Sequence, residues 1–200
     1  MNSGTRPYTS AKRAASAQET RVRILTAALD LFTELPLGQI TLAQVAERAG
    51  VAVQTVIRRF GDKDALFAAA ARQGFESVAA ERDAAPAGDL AGALGNLAEH
   101  YEHTGRLALK MLADEHSSPF MREVTAQGRA YHRAWCARVF AGALDGLAGA
   151  DRERRLAQFV AVCDVYTWRL LRLDAGLGRH QYILALTELL GPLVRPGAPH

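Results

Sequence analysis

The chain has 200 residues, 49% of them apolar and 22% charged, an ordinary balance for a globular protein and enough length to bury a real core. No apolar stretch reaches 18 residues without a charge, which excludes a membrane-spanning helix. The net charge of +3 is uneven: residues 1–61 carry eight Lys/Arg against four acids, the remainder 16 against 17. Positive charge therefore collects at one end, as expected of an end that meets phosphate. Ala, Leu, Arg and Glu recur throughout and alternating Val-Ile-Thr runs are scarce, which favours helices over strands.

Residues 1–18 are small and polar, with Arg6, Lys12 and Arg13 and no apolar segment. They read as a flexible basic arm without a secretory signal. A basic arm has two readings, a plain tail or a segment that reaches an adjacent minor groove. From Glu19 onward Val22, Leu25, Leu29 and Phe32 recur at helical spacing until Pro36-Leu37-Gly38 breaks the pattern. A second helix is expected from Thr41, with Gln44 completing a capping box and Gly50 as a left-handed stop. The third helix takes Val53, Val56, Ile57 and Phe60 as its core stripe. Asp62 then caps a fourth helix through Leu66, Phe67 and Ala70. After a loop at 84–89, helices are expected at 89–104, 106–115, 120–148, 151–174 and 179–191. The breaks fall at Gly105, Ser117-Ser118-Pro119, Gly149-Ala150 and Gly176-Leu177-Gly178, with a fraying tail after Pro192.

A helix of about eight residues, a glycine turn and a second short helix form the helix-turn-helix layout. The expected core stripe of the second helix leaves Gln54, Thr55, Arg58 and Arg59 outside. In the major groove Arg pairs with guanine, Gln with adenine, and Thr with phosphate or a thymine methyl. Within residues 20–70 stand Leu31-Phe32, Ile40-Thr41-Leu42-Ala43-Gln44-Val45-Ala46, Ala49-Gly50-Val51, Thr55 through Phe60, and Asp62-Lys63-Asp64-Ala65-Leu66-Phe67. This set resembles the tetracycline-repressor (TetR) family. The resemblance implies that Thr41 and Lys63 hold phosphates at helix starts, and that Gln54, Thr55 and Arg59 lie where members read bases or nearby phosphates. Two positions depart from the common pattern. Ile57 stands where the family often has Tyr, and Arg59 where His is frequent.

The expected fold is thus all-α: a three-helix helix-turn-helix DNA-binding domain at 19–64, then a helical-bundle ligand-binding and dimerisation domain at 65–200. On a wheel of 151–174, Leu156, Phe159, Val160, Val162, Cys163, Tyr166, Leu170, Leu171 and Leu173 share one half, with Val165 and Trp168 on the other. By resemblance the last two long helices pair with a second copy, placing Leu170, Leu173, Ile183, Leu186 and Leu190 at a homodimer interface. Tyr101, Met111, Phe120, Tyr131, Trp135, Phe159 and Tyr166 read either as plain core or, as the resemblance implies, as the wall of an effector cavity. Cys136 and Cys163 read as reduced core residues of a cytoplasmic protein. The histidines 100, 103, 116 and 132 lack a zinc pattern, and no nucleophile elbow, P-loop or Cys-x-x-Cys occurs. No catalysis, metal or cofactor is expected. The leading function is a dimeric repressor that leaves double-stranded operator DNA when an unidentified small molecule binds. The alternatives are a ligand-free constitutive DNA binder of the same fold, an activator, and a small-molecule-binding or catalytic bundle.

Overall fold

The computed structural model describes residues 6–85 and 88–194, and among them no strand occurs. No helix of these residues is long and apolar enough to cross a membrane. Contacts divide the chain into two compact units, Met1–Gly74 and Phe75–His200.

The first unit opens with α1 (Arg6–Glu34). The helix starts well ahead of Glu19, so residues expected to be an arm are helical, and Lys12 and Arg13 stand exposed on it. Ala11, Ala14, Ala15 and Ala17 explain this, since alanine is the strongest helix former. A minor-groove arm presupposes extended chain, which residues 6–18 do not supply; residues 1–5 lie outside the described ones. The buried face of α1 is Ile24, Leu25, Ala28, Leu31 and Phe32, while Val22 is exposed and Leu29 half-buried. A 3-10 turn (Leu37–Gln39) follows the Pro36 break. Helix α2 (Leu42–Ala49) carries the full capping box, with Gln44 N donating to Thr41 Oγ1 at 3.2 Å and Thr41 N donating to Gln44 Oε1 at 2.8 Å. Gly50 closes α2 at φ +64°, a conformation that costs other residues about 1–2 kcal/mol. Helix α3 (Val53–Phe60) and then α4 (Lys63–Asp83) follow, the latter capped by Asp62 Oδ1, which accepts from Ala65 N at 2.8 Å. Val45, Ala46, Val56 and Leu66 complete this core, with Phe67 edge-on to Phe32 at 6.1 Å. The Arg48 guanidinium grips the Glu34 carboxylate with both nitrogens, at 2.6 and 2.8 Å.

In the second unit α5 (Leu90–Ala113) runs unbroken through Gly105, where a break was expected. Gly105 is there for packing: a Cβ on it would lie 2.6 Å from Trp168 Cζ3. Ser118 caps α6 (Pro119–Val139), which stops earlier than expected. A one-turn helix, α7 (Ala141–Leu144), and a left-handed Gly146 occupy the remainder of the predicted 120–148 helix. The expected 151–174 helix is also divided. Helix α8 (Gly149–Val162) ends at Cys163, and Asp164 caps a new turn, α9 (Val165–Trp168), by accepting from Tyr166 N at 2.9 Å. A π-helical stretch (Arg169–Asp174) continues it, with Ala175 N donating to Leu170 O. Beyond the break the predicted wheel is reversed, while Leu156, Phe159 and Cys163 before it stay buried. Val165 and Trp168 enter the core, while Tyr166, Leu170 and Leu173 turn to solvent. Helix α10 (Arg179–Val194) continues past the expected end and includes Pro192, and Arg155 donates to the Leu193 carbonyl at 2.6 Å.

Candidate nucleic-acid interface

Helix α3 is held by little more than Val56, which is fully buried, while Phe60 and Arg59 are half-buried. The Arg21 guanidinium lies over the Phe60 ring, 5.3 Å from its centroid. The expected stripe of four is therefore corrected: Val53 is 37% and Ile57 40% exposed. At about 100° per residue, Val53 and Ile57 fall on the same outward arc as Gln54 and Arg58, both exposed, whereas Thr55 and Arg59 sit on its half-buried flank. The sequence reading missed the two apolar members because 53, 56, 57 and 60 are spaced as one stripe. Only the side nearer Val56 reaches the core.

The helix ends on Arg58 and Arg59, where cations interact favourably with the helix dipole. Arg59 Nε is buried without a hydrogen-bond partner. Thr41 is exposed, but its hydroxyl proton goes to Gln44 Oε1 at 2.9 Å. Lys63 Nζ donates to the Leu37 carbonyl at 3.0 Å, which ties the start of α4 to the 3-10 turn and leaves its other protons available. Thr41, Gln54, Thr55, Arg58, Arg59 and Lys63 thus all belong to the first unit, three exposed and three half-buried.

The residues expected around an effector are more dispersed. Tyr101, Trp135 and Phe159 are core residues, exposed by 4%, 2% and 0%. Tyr101 donates its hydroxyl to the Cys163 carbonyl at 3.1 Å, and Trp135 Nε1 donates to the Arg82 carbonyl at 3.1 Å. Phe159 stacks on Phe140 with centroids 4.3 Å apart. Met111, Phe120 and Tyr131 are half-buried, Tyr131 donating to Asp83 Oδ1 at 3.0 Å, and Tyr166 is half-exposed. Leu186 and Leu190 are fully buried within the chain, so neither is open to the homodimer contact expected of it. The apolar exposure of α10 lies instead at Leu184 and Leu189.

Sequence reasoning also missed a buried polar cluster. Arg82, 3% exposed, stacks on Trp135 at 4.3 Å, and its Nη2 lies 3.3 Å from His132 Nδ1, while its Nε has no partner. Among the described residues no carboxylate forms an ion pair with it. Cys136 and Cys163 are free and buried as expected, and a hydrogen bond from Cys163 pulls the Cys136 thiol below its ordinary range. An open recess of about 400 Å³ lies beside this cluster, lined by Glu81, Asn96, Glu99, His100 and His103.

His100 gives this cluster a pH dependence. Burial, helped by the charges of Arg82 on α4 and of His132 on α6 and by neighbouring His103, lowers its pKa from 6.5 to about 3. The unfolded chain takes up a proton below pH 6.5 that the folded chain refuses. The stabilisation is full above 6.5 and is lost as pH falls towards 3, at about 1.4 kcal/mol per pH unit. Calorimetry between pH 6.5 and 5, above the carboxylate range, is expected to show the wild type losing more stability than His100→Gln. Equal slopes would show that His100 takes a proton while folded.

A basic helix presented on a buried three-helix support defines a helix-turn-helix domain. Residues 24–70 match the family model described as bacterial regulatory proteins, tetR family, and the chain shares its all-helical fold with solved transcriptional regulators. Solved structures agree on the fold. A transcriptional regulator from Rhodococcus sp. Rha1 is 23% identical, over 90% of this chain and 99% of its own, with a TM-score of 0.69. A tetR-family transcriptional regulator from Streptomyces coelicolor is 18% identical over 89% and 87%, with a TM-score of 0.61. The regulator FadR from Bacillus subtilis, solved with stearoyl-CoA, is 17% identical over 88% and 99%, with a TM-score of 0.60. No curated protein matches the chain in sequence.

Proposed function

We propose that the protein is a dimeric, cytoplasmic transcriptional repressor that binds operator DNA through α3 and leaves it when a small-molecule effector binds the second unit. The observation that carries this reading is the outward arc of α3, with Gln54 and Arg58 exposed on a helix anchored by Val56. Arg58 and Gln54 enter the major groove to pair with guanine and adenine. Thr41, Thr55, Arg59 and Lys63 hold the flanking phosphates and set the register, which carries little sequence information by itself.

Dimerisation supplies the second recognition helix, about 34–36 Å from the first across a two-fold axis. The surface for it is the exposed apolar set on the π-helical stretch and α10: Leu170 at 59%, Leu173 at 37%, Leu184 at 40% and Leu189 at 51%. Leu170→Glu is expected to convert a sedimenting dimer to monomer while the thermal midpoint of the monomer fold stays within about 2 °C. A dimer that survives the change would move the interface elsewhere.

Effector release follows if the ligand prefers the DNA-incompetent state. The recess beside His100 and the buried Arg82 Nε, which lacks a hydrogen-bond partner, support a ligand in the second unit, as does the neighbour crystallised with stearoyl-CoA. The full burial of Tyr101, Trp135 and Phe159 supports a second reading, a constitutive DNA binder with a filled core.

Selection of bound duplexes from a random pool by the full chain tests the DNA function. A two-fold-symmetric enriched site is expected. Salt-sensitive binding without an enriched sequence would replace the reading with nonspecific DNA binding, and no binding would overturn it.

A further inference from the structure

Val53 and Ile57 are large apolar side chains held in water on the face of α3 that also shows Gln54 and Arg58. In a short helix that needs every apolar contact to stay docked, two such residues on the wrong side leave the core to Val56 and part of Phe60. The helix therefore carries an apolar strip that the fold of the first unit covers only in part. Its surroundings say what covers it. Gln54 and Arg58 share the exposed arc with the strip, and the first 61 residues hold twice as many basic as acidic side chains, so the complementary surface is a polyanion rather than an apolar protein face.

Among the groups that the major groove presents, hydrogen-bond donors and acceptors belong to every base, and only thymine offers an apolar one, its 5-methyl. We infer that Val53 and Ile57 are specificity residues that read thymine methyl groups in the major groove. This rests on the DNA-binding function proposed above. Gln54 follows Ile57 on the outward arc and has the chemistry to pair with adenine, so an A·T pair facing the two satisfies the amide and the apolar strip together. The site is then expected to contain thymines at the positions facing residues 53 and 57, next to guanines that face Arg58.

The test uses the full chain and a duplex of the enriched sequence in which each thymine in turn is replaced by deoxyuridine, a change that removes the methyl and leaves the base pairing. At one or two positions in each half-site the loss is expected to weaken binding about fourfold, the value of one buried methyl-sized group. Ile57→Ala or Val53→Ala is then expected to bind the thymine and uracil duplexes equally at those positions. Both side chains are exposed, so the variants are expected to fold, and the wild-type measurement needs no variant. If no duplex binds at all, the DNA function fails first. If the thymine duplex binds and uracil is tolerated everywhere, the methyl reading alone is overturned. It is also overturned if a uracil penalty persists undiminished in both alanine variants.

Discussion

Gly105→Ala is expected to destabilise the chain by about 1–3 kcal/mol, although alanine is the better helix former by about 1 kcal/mol. The added Cβ would lie 2.6 Å from Cζ3 and 2.8 Å from both Cε3 and Cη2 of the Trp168 ring. The ring has little room to yield. It is 2% exposed, and its Nε1 donates to Glu102 Oε1 at 3.4 Å. That carboxylate is itself gripped by Arg172, with Nε at 2.6 Å and Nη2 at 2.9 Å, and the contact holds Glu102 below the usual carboxylate range. Overpacking at such a site is relieved by moving backbone, which here means separating α5 from the turn that begins at Val165. Urea unfolding of Gly105→Ala, Trp168→Leu and the double variant forms a cycle that isolates the pair. The alanine is expected to cost much less once the ring is gone. If Gly105→Ala proves stabilising in the wild-type background, Trp168 does not pack on that glycine.

Phe159→Ala is expected to cost more, about 3–5 kcal/mol, or roughly 6–20 °C in the thermal midpoint. The ring is fully buried, stacks on Phe140 at 11° between planes, and belongs to a cluster with Leu94, Leu97, Leu156 and Leu186. Truncation removes its transfer free energy and leaves a cavity that rigid neighbours close only in part. Such a loss is a large share of the 5–15 kcal/mol that keeps a domain folded. The same measurement bears on the effector. A side chain lining an open pocket loses few contacts when cut back, so a cost below about 1 kcal/mol would put Phe159 on a cavity wall and support the ligand reading there. The larger loss would make it plain core and direct the search for an effector to the recess near His100.

The first unit was legible because its signals are local. Thr41 with Gln44, Gly50 at its left-handed φ and Asp62 at the start of α4 each act within a few residues of themselves. Their chemistry is readable from spacing alone. The reading of α3 was half right for a related reason. Periodicity marks an apolar stripe but does not say how wide a contact the neighbouring helices offer, and only the part of α3 around Val56 is fully covered. The residues exposed by that narrow contact are the ones now proposed to read thymine. Residues 6–18 have the small, polar composition of a flexible arm, yet the helix propensity of their alanines makes them part of α1.

Sequence by itself determined the all-helical class, the helix-turn-helix and its basic character, since propensity, capping and charge are properties of short segments. Tertiary structure alone decided that α5 passes through Gly105, that the helix after Gly149 breaks at Cys163-Asp164, and that Leu186 and Leu190 are core while Leu170 and Leu173 are surface. Glycine ends a helix or admits a ring across it, and which it does at position 105 depends on Trp168, 63 residues further along the chain. A contact between residues that far apart leaves no trace in local periodicity.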